Sequence, residues 1–481
     1  MTASAQHSKR VWPTIVAFLS VAALAWFAYS PILGAWFRHD DFWWLGTAQR
    51  WADGSLPLTY APAGVAPLYS LLYYLTYHTW GLNPVPYFAL LLACHVVDSC
   101  LVLGLIWLLT RRLVAAWAGG VLFAILFCHH EAVAWPAGGP HVFAAFGILL
   151  SLIGWVLYRQ GHRWALPVSL LFAVAATLTK DSGIAVLPLA LALEVTVFRA
   201  LNKRALIWLA TPLVALVAWR VAMPPVRDPL ALGGADFHLG PHMLWNLLRC
   251  VPQMVLPDLR FENYLSLLQR LLPPAAVGIT VGAGQIGLLA LSALALWALW
   301  RGNDRVRLAV LWCYAGFLPF TPFTYTYARA PRYLYIPSIG LALLASLAAV
   351  WLADAMKQRL RARHVVLLAL ALLYLVGSFG FARYMCRNRL RDSELRMNVV
   401  TQIMQHVAIP EPGATFIVRG LPQHLQDATL ALPVVYNKPI RVELEGKGDT
   451  PGAYVAVFDA QAHLLSFRQV PRRGAFGRRP Q

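Results

Sequence analysis

Residues 38–44 read Arg-His-Asp-Asp-Phe-Trp-Trp, so two adjacent carboxylates, Asp40 and Asp41, follow a run of about twenty apolar residues. Neighbouring carboxylates at a low-dielectric boundary resist double ionisation unless a proton, a donor or a cation intervenes. Such a pair suits a general base or one side of a divalent-ion site, and the competing reading is a solvated loop start. Glu131, flanked by His129 and His130, could bind a metal or cap a helix at an interface. Lys180-Asp181 lies between two apolar runs, as a self-neutralised turn or as a lysine facing a phosphate. Arg329 and Arg332, with Tyr325, Tyr327, Tyr333 and Tyr335, supply cations and phenols for an anionic ligand, or else an aromatic belt. Asp98 falls inside an apolar run with His95 one turn back. An intramembrane carboxylate is a functional candidate, and a buried helix–helix hydrogen bond is its plain competitor.

The elements that must position these residues follow from composition. The chain has 481 residues, 59% hydrophobic and 13% charged, with a mean hydropathy of +0.57. Soluble domains run about 25% charged. So apolar a chain is a polytopic membrane protein. Its net charge of +19 fits basic inner loops better than nucleic acid, which is not expected as a partner. None of the six cysteines shows CxxC spacing. Cys94, Cys100, Cys128 and Cys313 fall in apolar runs as packing residues, and only Cys250 and Cys386 are placed to meet outside a membrane.

Spanning runs fall at about 11–33, 84–110, 113–129, 141–158, 164–179, 183–199, 205–223, 276–300, 306–322, 333–353 and 364–382. This predicts an all-α bundle of about eleven helices, the first an uncleaved N-terminal helix. The Tyr-rich segment 66–80 is short and ends in Trp80, which suits an interfacial helix. With the N-terminus inside, Arg111/Arg112, Arg159/Arg163, Arg199/Lys203/Arg204, Arg301/Arg305/Arg307 and Lys357/Arg359/Arg361/Arg363 all fall on the inner side. Counting 66–80 as a span would invert every later loop. The candidate residues then collect on the outer side, which in a bacterium is the periplasm. The chain divides into a membrane domain, 1–382, and an outer tail, 383–481. In the tail a basic helical linker (383–408) precedes strand-like runs at Thr415–Arg419, Pro433–Tyr436 with Ile440–Leu444, and Tyr454–Phe458. These predict a small α/β or β domain, and the terminal RRGAFGRRPQ reads as disordered.

Four segments taken in order resemble a known family: His39-Asp40-Asp41-Phe42, His130-Glu131-Ala132-Val133-Ala134-Trp135, Lys180-Asp181-Ser182-Gly183, and Arg332-Tyr333-Leu334-Tyr335-Ile336-Pro337-Ser338-Ile339-Gly340. Over roughly residues 10–385 the chain is similar to the GT-C fold glycosyltransferases that use polyprenyl-phosphate sugars, and most to their protein O-mannosyltransferase-like branch. The resemblance implies an inverting transferase in the bacterial inner membrane with its site on the outer face. Its donor would be a polyprenyl-phosphate-linked sugar, with surrounding membrane lipids, and its acceptor an envelope glycan, lipid or protein. It gives Asp40 or Asp41 the acceptor hydroxyl or a metal, adds Glu131 as a second acidic residue, and makes Lys180 and Arg332 partners of the lipid phosphate. His39, Arg329 and Tyr333 join them as substrate-binding candidates. Trp43 is a candidate wall of the sugar site or an interfacial anchor. A divalent metal, if used, would draw on Asp40, Asp41, Glu131 and His130.

The chain departs from the family in two places. Gly138-Gly139-Pro140-His141 stands where the family continues Gly-Arg-x-Asp, and the tetratricopeptide array of that branch is missing. Two other functions compete. A transporter or flippase would use Asp98 and show an internal repeat, and the sequence has no convincing one. A catalytically inactive relative would scaffold envelope assembly through its tail.

Overall fold

The computed structural model describes residues 3–56, 66–222, 239–260, 262–324, 330–358, 361–446 and 450–471. Tyr325, Tyr327 and Arg329, and the terminal segment expected to be disordered, lie outside the described residues. Helix α1 (Ala3–Tyr29) passes through a tight turn into α2 (Asp40–Ala52), which carries both aspartates in its first turn. Helices α3 (Pro67–Trp80) and α4 (Pro84–Thr110) follow. The Asn83 side chain caps α4 by accepting the Val85 amide at 3.1 Å, and Pro84 fills the first turn, where a missing amide donor costs nothing. Helix α5 (Leu113–Ile125) is bent by 45° from the short segment containing α6 (His130–Val133). Next come α7 (Pro140–Arg159), α8 (Ala165–Thr179), α9 (Val186–Leu193) and α10 (Lys203–Ala222). Short helices α11 (His242–Leu248), α12 (Cys250–Val255) and α13 (Glu262–Leu271) lead to α14 (Pro274–Arg301), α15 (Asp304–Phe317), α16 (Ser338–Gln358) and α17 (Ala362–His406).

Over its described residues each expected spanning run falls mostly on helix. Among the described residues seven helices are long and apolar enough to cross a membrane, and an eighth if the bent pair is one span. Helices α8, α10 and α15 fall outside that set. Helices α1, α4, α5, α7, α8, α9, α15 and α16 share one buried core, with Phe123, Trp155 and Trp312 fully enclosed. All six cysteines are free thiols, so Cys250 and Cys386 do not pair; both are buried, with Cys250 against the Cys313 carbonyl.

Helix α17 has 45 residues, about 67 Å of helix against a hydrocarbon thickness of about 30 Å. The expected linker is the second half of this same helix. It carries a four-stranded sheet of β1 (Thr415–Arg419), β2 (Arg441–Leu444), β3 (Tyr454–Phe458) and β4 (Leu464–Gln469). The order is β2-β1-β3-β4, with β1 parallel to β2 and β3 and β4 antiparallel to β3. One strand expectation fails: Pro433–Tyr436 belongs to helix α18 (Ala431–Tyr436), which ends at Asn437 in the left-handed region. Strand β4, with mostly exposed side chains, is the piece that apolar runs did not indicate.

The tail domain docks on α2. Phe42 and Leu45 pack with Val400, Ile403, Phe416 and Leu432 in one core, and Gln49 Nε2 donates to the Val434 carbonyl at 2.7 Å. Arg396 of α17 pairs with Asp427 at 2.9 Å. The helix that begins with the aspartates is therefore held between the membrane bundle and the tail domain.

Candidate active site

His39, just before α2, takes φ 47° and ψ −120°. A side chain at positive φ stores about 1–3 kcal/mol of strain. The twist starts α2 with its two carboxylates in different surroundings. Asp41 is fully buried: Oδ1 accepts the Ala137 amide at 2.7 Å and Oδ2 the Arg38 amide at 3.0 Å, with the Tyr73 hydroxyl 3.4 Å away. Burial pushes its carboxyl up to about 7, against the pull of Arg38 and the two amides. The Asp40 side chain is 46% exposed, and its Oδ1 lies 3.1 Å from His39 Nδ1. What burial it has would raise its pKa, but the His39 hydrogen bond and the charges of Arg332 and Arg38 hold it below the ordinary carboxylate value. The same bond pushes His39 up. Of the two aspartates, Asp40 is the ionised, reachable one and Asp41 a tie between two loops.

Glu131 faces Arg332. Its Oε1 accepts from Arg332 Nη1 at 2.8 Å and its Oε2 from the Arg332 amide at 3.2 Å. The Arg332 guanidinium lies over the Trp135 ring at 5.2 Å and the Tyr333 ring at 4.8 Å, and Nη2 donates to the Tyr333 hydroxyl at 3.2 Å. Burial opposes its charge, but Tyr333 and Glu131 more than restore it. Arg38 also stacks on Trp135, at 4.6 Å. The indole thus joins Arg38 of the first loop to Arg332 near the start of α16.

Lys180 ends α8 and is half-buried. Its charge and that of Arg332 both act on His141, whose ring lies 5.3 Å from Tyr333, so Lys180 belongs to the same end of the bundle. Gly183 makes this turn possible: a Cβ there would meet the backbone of Ala176 and Thr177 at 2.3 Å. Glu194, at the end of α9, lies apart; buried, it pairs with Arg159 at 3.0 Å and accepts from Trp155. Trp43 lines a cavity of about 630 Å³ between α2 and the tail domain, together with Gln49, Arg50, Val434 and Lys438. Trp44 instead stacks on Tyr73 in the core, with centroids 5.8 Å apart. Asp98 bonds the Tyr335 hydroxyl at 2.9 Å, and His95 Nδ1 lies 2.7 Å from that hydroxyl, a buried inter-helix contact.

The residues suggested for a metal do not converge. His130 Nδ1 turns to the Phe127 carbonyl at 2.8 Å, His129 Nε2 to the Ser338 hydroxyl at 2.7 Å, and Glu131 to Arg332. Among the described residues no group of three His, Cys, Asp or Glu is placed to hold a metal.

Two functional candidates went unremarked in the sequence: Arg38, and Arg389 on the second half of α17. Both act electrostatically on Glu131. The signal that singles out Arg329 and Arg332, arginines on the side where the orientation bias disfavours them, applies equally to these two.

The bundle is that of a multi-pass membrane protein with the GT-C fold. Among solved structures it is similar to the apo oligosaccharyltransferase of Archaeoglobus fulgidus, with a TM-score of 0.51 and 14% identity over 92% of this chain and 66% of that chain. ArnT from Cupriavidus metallidurans, solved with bound undecaprenyl phosphate, aligns with a TM-score of 0.49 and 14% identity over 89% of this chain and 85% of its own. At these identities the likeness is one of fold. No family model and no curated protein matches the sequence.

Proposed function

We propose that this protein is an inverting glycosyltransferase of the bacterial inner membrane. It moves a sugar from a polyprenyl-phosphate donor to an envelope or protein acceptor on the outer face. The observation that carries this reading is an ionised, half-exposed Asp40 within the field of a half-buried, charged Arg332, where the tail domain meets the bundle. The N-terminus is cytoplasmic and the tail domain periplasmic, in keeping with the basic inner loops. The assignment to the O-mannosyltransferase-like branch rests on the four sequence motifs.

In this mechanism the acceptor hydroxyl gives its proton to Asp40 as its oxygen attacks the anomeric carbon. The bond from that carbon to the phosphate oxygen breaks, and the phosphate leaves with the electron pair. Arg332 and Lys180 neutralise it. Base catalysis of this kind is worth about 10²–10⁴-fold, and preorganised cations contribute comparably. Glu131 holds Arg332 in place, Asp41 holds the loop that carries Asp40, and Trp43 lines the acceptor side.

The test is mass spectrometry of envelope lipids and glycans from cells carrying wild-type, Asp40→Asn or Asp41→Asn protein at equal membrane levels. One species should lose a sugar in the Asp40→Asn strain. A wild-type profile in that strain overturns the reading.

A further inference from the structure

Near the candidate active site, on the other side of Arg38, a pocket of about 160 Å³ opens between α13 and the second half of α17. Arg38, Arg270, Arg389 and Arg391 line it, with Asp392 as its carboxylate. The pocket has room for a small polyatomic anion, since a single water needs only about 10–15 Å³ by this measure. Arg389 is only 7% exposed, yet its Nε and Nη1 find no hydrogen-bond partner among the described residues, and neither does Arg38 Nε. Buried guanidinium nitrogens left in this state are costly. The carboxylates that could satisfy them are engaged elsewhere or exposed. Both Glu131 oxygens are taken by Arg332, both Asp41 oxygens accept backbone amides, and Asp392 lies at the surface.

We propose that this arginine pocket is an anion subsite that binds a phosphoryl group, separate from the place given above to Lys180 and Arg332. Forked guanidinium donors match the oxygens of a phosphate, and a doubly charged group can satisfy Arg389 and Arg38 together. The subsite requires no turnover, so its test stands or falls independently of the glycosyltransferase reading.

The full chain in nanodiscs is titrated with inorganic phosphate at constant ionic strength, with chloride and acetate as controls, and thermal unfolding is followed by tryptophan fluorescence. Phosphate should raise the midpoint saturably. Arg389→Gln should weaken the response about tenfold or more without lowering the ligand-free midpoint, because it removes an unsatisfied charge. Arg270→Gln, at an exposed position that threatens no core, should weaken it too and carries the test if Arg389→Gln fails to fold. Nanodiscs containing polyprenyl phosphate form the second arm. Competition with inorganic phosphate there identifies a lipid-borne phosphoryl group, and independent binding identifies one arriving from the aqueous side. No phosphate response in the wild type, or the same response in the wild type and the variants, overturns the proposal.

Discussion

Asp41 and Ala137 stand 96 residues apart in sequence, yet Asp41 Oδ1 accepts the Ala137 amide at 2.7 Å. Because Oδ2 accepts the Arg38 amide, this one carboxylate fixes the first loop against the second, while Asp40, among the described residues, makes no tie to another loop. The adjacent aspartates should therefore fail differently. Asp40→Asn should cost about 10²-fold or more in transfer with little change in unfolding midpoint. Asp41→Ala leaves two buried amides unpaired and should lose about 1–3 kcal/mol of stability, taking activity with it. Transfer and thermal unfolding measured side by side separate the two, and indistinguishable behaviour would count against the division of roles.

The burial of Asp41 also sets a pH dependence. An unfolded chain ionises this carboxyl near 3.8, whereas the folded protein holds the proton up to about 7. Between those values the folded state binds more protons than the unfolded state, so stability falls as pH rises. The contribution is complete below about 3.8 and gone once pH has passed through 7. Asp41→Asn has no proton to lose, so the difference in midpoint between wild type and variant should change across this window and level off on both sides. Parallel profiles for the two proteins would contradict the assignment.

Much of this was legible in the sequence and some was not, for definable reasons. Apolar runs with charged flanks located the helices, because a lipid environment demands long uninterrupted ones. Residues 383–406 contain no Gly or Pro, so the helix entering from the membrane has no reason to stop. Pro433–Tyr436 misled because Val-Val-Tyr favours strands. Its placement was decided by packing: the segment lies on α2, where the Val434 carbonyl receives Gln49. At the site, residue types were informative and partners were not. Glu131 and Arg332 are 201 residues apart, and nothing local shows that they pair. Which aspartate turns inward depends on the backbone of His39, a positive φ that its side chain does not announce.

The Glu131–Arg332 pair should be strongly coupled. The Glu131 side chain is 8% exposed and that of Arg332 24%. Removing either partner strands the other in a largely desolvated place. Breaking a buried pair costs about 3–5 kcal/mol, and the partial exposure of Arg332 points to the lower end. Glu131→Gln and Arg332→Gln should each lower stability, and the double variant should lose clearly less than the sum. A double-mutant cycle on the unfolding midpoints measures this, with additivity as the disproving outcome.

The departure at Gly138-Gly139-Pro140-His141 has a steric explanation that can be tested at Gly139. A Cβ there would lie 2.4 Å from the Tyr69 hydroxyl and 2.9 Å from the Pro136 carbonyl, and that hydroxyl is itself bonded to the same carbonyl. The arginine that the related pattern carries in this motif has no room beside Tyr69. Gly139→Ala should destabilise by about 1–3 kcal/mol, as overpacking does, and Gly139→Arg by more. Because Ala137 and Pro136 belong to this turn, the strain should reach the Asp41 tie and lower transfer as well. Tyr69→Phe in the Gly139→Ala background removes the nearer clash and leaves the backbone one, so it should recover part of the loss. Unfolding midpoints of the single and double variants decide the matter: full tolerance of Gly139→Arg would show that the loop has space the close packing denies, and that the departure has some other cause.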